Sequence, residues 1–251
     1  MFLRPAYCCT CHARRRRNRL ALTVLILVIA AAAWGEGHAR PSGTRTAAPS
    51  HTRSPAARPE QAGPASAPSA AGQDLSWTDF HGIQLPVSAS AGPRDTRGGL
   101  ASRFADTPRG ALLAAINIGV RTAAQWGPAV FGPTITRQVT GPDAAALLQA
   151  EESAYAQLRA AAHVRPGQPA GRGYAVEAAY RFALWAPASA AVDVVTAGPG
   201  SSGTTALAST RIELIWQRGD WRVLAPPGGD WNSSATAIST MTGYTIFPGE
   251  R

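Results

Sequence analysis

Tyr174-Ala-Val-Glu-Ala-Ala-Tyr-Arg-Phe-Ala-Leu184 follows the flexible Gly171-Arg-Gly173 and carries the change of period that decides the fold. Upstream of it, apolar residues recur every three or four positions. Within it, Tyr174, Val176, Ala178, Tyr180, Phe182 and Leu184 alternate with the charged Glu177 and Arg181, the period of a strand with one apolar face. Val192-Asp-Val194-Val195 continues the pattern after Pro187. Thr210, Ile212, Leu214 and Trp216 then alternate with Arg211 and Glu213, and Trp221-Arg-Val223-Leu follows the tight Arg218-Gly219-Asp220. The expectation is an antiparallel meander.

Working back from this stretch, Thr107-Pro108 reads as N-cap and first helical position of a helix through Leu112, Leu113, Ile116, Val120 and Ala123 that stops before Gly127-Pro128. Only Asn117 and Arg121 interrupt its apolar surface, which predicts a mostly buried helix. A second helix starts at Asp143, with Leu147, Leu148, Tyr155, Leu158 and Ala162 on one face and Gln149, Glu152 and Arg159 largely opposite. Between them, Thr134 to Thr140 reads as a short strand. Residues 86 to 106 read as a loop, and Trp77 to Leu85 as an opening strand or docked arm. Helices followed by hairpin-linked strands predict an α+β fold, helices packed on a curved antiparallel sheet, over residues 74–251.

The 251 residues carry a formal charge of +9, and every one of the 24 basic residues is Arg. Ten of these lie in residues 1–73, against only Glu36 and Glu60. The remaining 178 residues are nearly balanced, with 14 Arg and 13 acids, which argues against direct nucleic-acid binding by the folded part. The basic cluster Arg14 to Arg19 stands before Leu20-Ala-Leu-Thr-Val-Leu-Ile-Leu-Val-Ile-Ala-Ala-Ala-Ala-Trp34. Sixteen residues, counting Gly35, span roughly 24 Å as a helix, short of a ~30 Å hydrocarbon core.

Length alone leaves a membrane anchor and a signal peptide open. The long basic lead and Trp34 favour a transmembrane anchor over residues 20–35, while Ala31-Ala32-Ala33 offers a cleavage site. In either case residues 1–19 are cytoplasmic and everything beyond 35 is extracytoplasmic. Residues 36–73, poor in large apolar side chains, read as a disordered Ala/Pro/Ser linker.

All three cysteines, Cys8, Cys9 and Cys11, precede the apolar run, so the exported part folds without disulfides. Cys8-x-x-Cys11-His12 matches a haem-attachment spacing and holds zinc-type ligands. Haem attachment occurs on the far side of the membrane, however, and four ligands within five residues cannot easily wrap a tetrahedron. No cofactor and no metal are therefore expected.

Trp216-Gln-Arg-Gly-Asp-Trp221-Arg-Val223 and the ending Gly243-Tyr-Thr-Ile-Phe247-Pro-Gly resemble an actinobacterial family of conjugative-element membrane proteins of unknown function. Over residues 75 to 251 the resemblance implies a nuclear-transport-factor-two-like cone, as in the inner-membrane assembly subunits of type IV secretion. It implies protein partners in a secretion or conjugation assembly, homo-oligomerisation among them, and supplies no catalytic residue.

Three other patterns bear on chemistry. Gly198-Pro-Gly200-Ser-Ser-Gly203 satisfies GxGxxG, but a strand rather than a helix follows, so a hairpin loop is expected. Arg218-Gly219-Asp220 spells an adhesion tripeptide, and strand reversal accounts for it. His81 and His163 are the only exported-domain histidines, and no Gly-x-Ser-x-Gly elbow occurs. Asp79, His81, Glu177 and Asp193 are the groups from which a cone mouth would build an acid/base site. The competing expectation makes Glu177 and Arg181 solvated or cross-strand-paired charges. Trp77, Trp126, Trp185, Trp216, Trp221 and Trp231 are expected in the core, where an exposed pair would mark a partner surface.

The leading expectation is thus a non-catalytic membrane scaffold. An exported small-ligand binder or enzyme with a cone-like fold is the alternative.

Overall fold

A computed structural model describes residues 74–200 and 203–248. The expected cytoplasmic segment with Cys8, Cys9, Cys11 and His12, the apolar run and the linker lie outside the described residues. Among the described residues no helix is long and apolar enough to cross a membrane. The fold is α+β, with three α-helices and a mixed sheet.

Trp77 to Leu85 is neither a single strand nor an arm but most of a hairpin. Strand β1 (Leu75–Phe80) pairs antiparallel with β2 (Ile83–Ser88) through a two-residue turn at His81-Gly82. Both turn residues have positive φ, 53° and 95°, the mirror-image turn that matches strand twist. Ile83 and Leu85 are buried against the core. The 86–106 stretch is irregular, as expected, yet firmly attached. Ala101 exchanges hydrogen bonds with the Gln138 side chain, and the Asp220 carboxylate accepts from the backbone N–H groups of Arg103 and Phe104.

Helix α1 (Pro108–Arg121) begins as its sequence dictates, the Thr107 hydroxyl accepting from Gly110 N at 3.1 Å. Every residue from Gly110 to Arg121 is buried. Its two polar interruptions bond within the domain: Asn117 donates to Pro86 O and Leu113 O, and Arg121 donates through Nη1 to Asn117 while its guanidinium covers the Phe80 ring at 4.2 Å, its buried Nε left without an acceptor. Burial without a carboxylate partner lowers the Arg121 pKa to about 10.

The expected strand at Thr134 to Thr140 is a helix for most of its length. Gly127, at φ 85°, turns the chain, and Pro128 opens α2 (Pro128–Gln138), with Phe131, Thr134, Ile135 and Gln138 buried at helical spacing. The β-branched Thr134 and Ile135 carry a strand signal that this burial overrides. Only β3 (Val139–Thr140) is extended, and it pairs parallel with Val223 and Leu224 of a later strand. Helix α3 (Ala144–Ala162) follows Asp143, burying Leu147 and Tyr155.

The remaining strands form the expected meander: β4 (Val176–Ala186), β5 (Ser189–Pro199), β6 (Thr205–Gln217) and β7 (Asp220–Leu224). Two short C-terminal strands, β8 (Ala235–Ile238) on β6 and β9 (Thr245–Ile246) on β4, complete the sheet in the order β3-β7-β6-β5-β4-β9. Tyr180, Phe182, Val192, Val194, Ile212 and Leu214 face the helices and share one core with α1 and α2. On the other face, Ala179 and Val195 form a smaller cluster under Leu207, Ile238, Met241 and Tyr244.

Strand β4 departs from strict alternation. Its pairing with β5 shifts by one residue between Phe182 and Leu184 and again between Glu177 and Ala179. Each shift re-aims the side chains beyond it. Leu184, Val176 and the preceding Tyr174, expected on the apolar face, are exposed at 54%, 36% and 64%. Glu177, expected among the charges in solvent or paired across strands, is instead buried opposite Thr196, on the side of Val194.

Candidate functional site

Arg181, Asp193 and Arg211 stand opposite one another on β4, β5 and β6, pointing away from the helices. This row is a direct consequence of register. The Asp193 side chain is 5% exposed, and both its oxygens are engaged: Oδ2 by Arg181 Nη2 at 2.6 Å and Arg211 Nη2 at 3.1 Å, Oδ1 by Arg211 Nε at 2.8 Å. Burial alone raises the Asp193 pKa, but the hydrogen bonds from Arg211 and Arg181 outweigh it and hold the carboxyl below its ordinary value. The arginines stay 44% and 50% exposed.

Chain downstream of β7 encloses the row. Pro226, Pro227 and Trp231 make one wall and β8 another, while Tyr244 lies over Arg181, ring to guanidinium 4.6 Å, and donates to Ser209 Oγ at 2.9 Å. Trp231 is held from behind, its indole N–H donating to Thr122 Oγ1 at 3.0 Å. The result is an open-sided cleft of about 660 Å3, within the size range of small-molecule sites. Glu213 and Asp143 also line it.

Asp79, His81, Glu177 and Asp193 do not come together. Asp79 sits at the β1–β2 turn and accepts from Gly82 N and Gln84 Nε2. His81, in that turn, stacks on Trp126 with ring centroids 5.2 Å apart. Glu177 lies on the helix side of the sheet, and only Asp193 reaches the cleft. His163 ends α3 in a left-handed conformation. Among the described residues no three His, Cys, Asp or Glu side chains are grouped to hold a metal ion.

The remaining motifs resolve into turns. Gly198 and Gly200 belong to the β5–β6 hairpin, and β6 follows. Arg218 and Gly219, both at positive φ, connect β6 to β7, while Asp220 is occupied by three backbone N–H groups, from Arg103, Phe104 and Trp221. Trp126, Trp221 and Trp231 are buried; Trp77, Trp185 and Trp216 are partly buried against the same core. None forms an exposed pair.

Glu177 illustrates what burial does to a carboxyl left on the core side. Burial raises its pKa to about 7, only partly opposed by the Thr196 hydroxyl at 3.4 Å. Glu151 is also raised to about 7, by burial and by Asp230, although it accepts from Ala124 N at 2.8 Å. In both cases the folded state holds the proton more tightly than the unfolded one, so the contribution is full at low pH and lost as pH rises through about 7. Stability is expected to fall between about pH 4 and pH 8, by up to about 3 kcal/mol for Glu177. Glu177→Gln should flatten that slope in denaturant titrations at several pH values. An unchanged slope would contradict the assignment.

These features define an α+β domain whose open cavity lies on the outer face of its sheet rather than between sheet and helices. Over residues 38–246 the chain matches a family model described as a domain of unknown function, DUF8175, and it belongs to that family. No curated protein and no solved structure matches it.

Proposed function

We propose that this protein is a membrane-anchored, non-catalytic assembly component of a conjugation or type IV secretion-like apparatus. Its N-terminus is cytoplasmic, residues 20–35 form the anchor, residues 36–73 the linker, and the folded domain lies outside the membrane as a nuclear-transport-factor-two-like cone. One observation carries the non-catalytic part of this reading. The space between sheet and helices, where such a cone would open its active site, is filled by Tyr180, Phe182, Val194, Ile212 and Leu214 packed with α1. The dispersal of Asp79, His81, Glu177 and Asp193 supports it further.

The test is fractionation of the native host with an antibody to the folded domain, followed by gentle extraction and crosslinking. The expected result is a full-length chain in the membrane fraction, crosslinked to translocation ATPases or other transfer subunits. A trimmed, soluble monomer without such partners would overturn the reading. The outer cleft is the observation that favours a second reading, an exported small-ligand binder.

A further inference from the structure

The outer cleft has the make-up of a ligand site, and its charge count narrows the ligand. Two guanidiniums, Arg181 and Arg211, face three carboxylates, Asp143, Asp193 and Glu213. With all five ionised the lining carries an excess of one negative charge, so a free anion gains no net attraction. A cation would have to compete with two arginines already bonded to Asp193.

What the lining offers instead is a fixed array of hydrogen-bonding groups beside apolar surface. Asp193 engages only Arg181 Nη2 and Arg211 Nε and Nη2, and a guanidinium has five N–H donors, so donors remain on two half-exposed side chains whose positions are locked. Glu213 and the Tyr244 oxygen, whose hydrogen goes to Ser209, supply acceptors, and the hydroxyls of Ser234 and Thr236 serve as either. Leu224, Pro227 and Ile238 give the apolar surface between them, backed by the buried Pro226 and Trp231.

We infer that this cleft binds a neutral carbohydrate, a short oligosaccharide segment whose hydroxyls pair with the Arg181–Asp193–Arg211 row and Glu213 while its C–H faces rest on the wall of Leu224, Pro227 and Ile238. A polyol ring both donates and accepts around its rim and is apolar on its faces, the complement of this lining. Buried Asp193 is a positioning residue: it aims the arginines and leaves their remaining N–H groups for the ligand. The inference does not depend on membership of a secretion assembly.

The experiment uses the full chain in a polyoxyethylene detergent, which carries no sugar headgroup. Chitotetraose, cellotetraose and maltotetraose are titrated separately, followed by ligand-observed NMR and tryptophan fluorescence, with inorganic phosphate and acetate as anionic probes. Saturable binding of at least one tetrasaccharide is expected, undisturbed by phosphate or acetate at equal concentration. Arg211→Ala should weaken it at least ten-fold. Because that change also removes an ion pair, the exposed Glu213→Ala and Thr236→Val serve as second variants, each expected to weaken binding several-fold while circular dichroism and melting stay those of the parent. The inference is overturned if no tetrasaccharide binds saturably, if binding ignores all three substitutions, or if phosphate alone binds and makes the cleft an anion site.

Discussion

Trp221→Ala should cost about 4 kcal/mol of folding stability, the largest loss expected from a single core substitution here. Trp221 is 1% exposed on β7, and its ring lies 5.4 Å from Trp216 and 5.8 Å from Trp185, so truncation opens a cavity against two large neighbours that cannot easily collapse into it. The indole N–H donates to Ala105 O at 2.9 Å, tying the irregular segment before α1 to the sheet. That carbonyl would keep only the Thr107 N–H, 2.9 Å away. Against a typical total of about 5–15 kcal/mol, the variant should unfold near physiological temperature. Trp221→Phe separates the two contributions: it keeps most of the packing and loses the hydrogen bond, so about half the destabilisation is expected. Urea titration of the full chain measures both. A loss below about 1 kcal/mol for the alanine variant would mean that β7 is not a pillar of the core.

The parts of this fold legible in the sequence are those written in local periodicity. α1 announces itself through Thr107-Pro108 and a nearly unbroken apolar surface, and β6 through the alternation of Thr210, Ile212 and Leu214 with Arg211 and Glu213. Helix α2 was hidden because Gly127-Pro128 stops one helix and starts another with the same two residues, and because Thr134 and Ile135 carry a strand preference.

The cleft was hidden for a different reason. The Pro187-Ala188 turn, with Ala186 opposite Ser189, would place Arg181 across from Val194 if β4 were regular. The shift between Phe182 and Leu184 moves it onto Asp193, and the next shift sends Glu177 to the helix side. A bulge has no reliable signature in a run of alanines and aromatics, so the candidates could be named but not grouped. The signal that was available is coarser: Arg181, Asp193, Arg211 and Glu213 all fall at polar positions of three consecutive strands, which predicts a charged outer face without its register.

The Asp193 row itself yields the second large effect. Removing a partner from a buried ion pair costs about 3–5 kcal/mol when both charges are buried, but here the arginines are 44% and 50% exposed and can turn to water. About 2–3 kcal/mol is therefore expected for Asp193→Ala. Part is the loss of three charge-assisted hydrogen bonds, and part the repulsion between Arg181 and Arg211, left facing each other across β5. Added salt should relieve the repulsive part, so the deficit shrinks at high ionic strength. The pH dependence has a definite sign. The Asp193 pKa is lowered on folding, so its stabilisation is present above the ordinary carboxylate range near 4 and is lost as pH falls through the folded value. The alanine variant should accordingly match the parent more closely at pH 3 than at pH 7. Asp193→Asn keeps the shape and removes the charge, and should fall between the two. A variant as stable as the parent at pH 7 would show that the row is an outer ornament of the sheet; the predicted loss would show that this carboxylate fixes both arginines and, through them, the shape of the cleft.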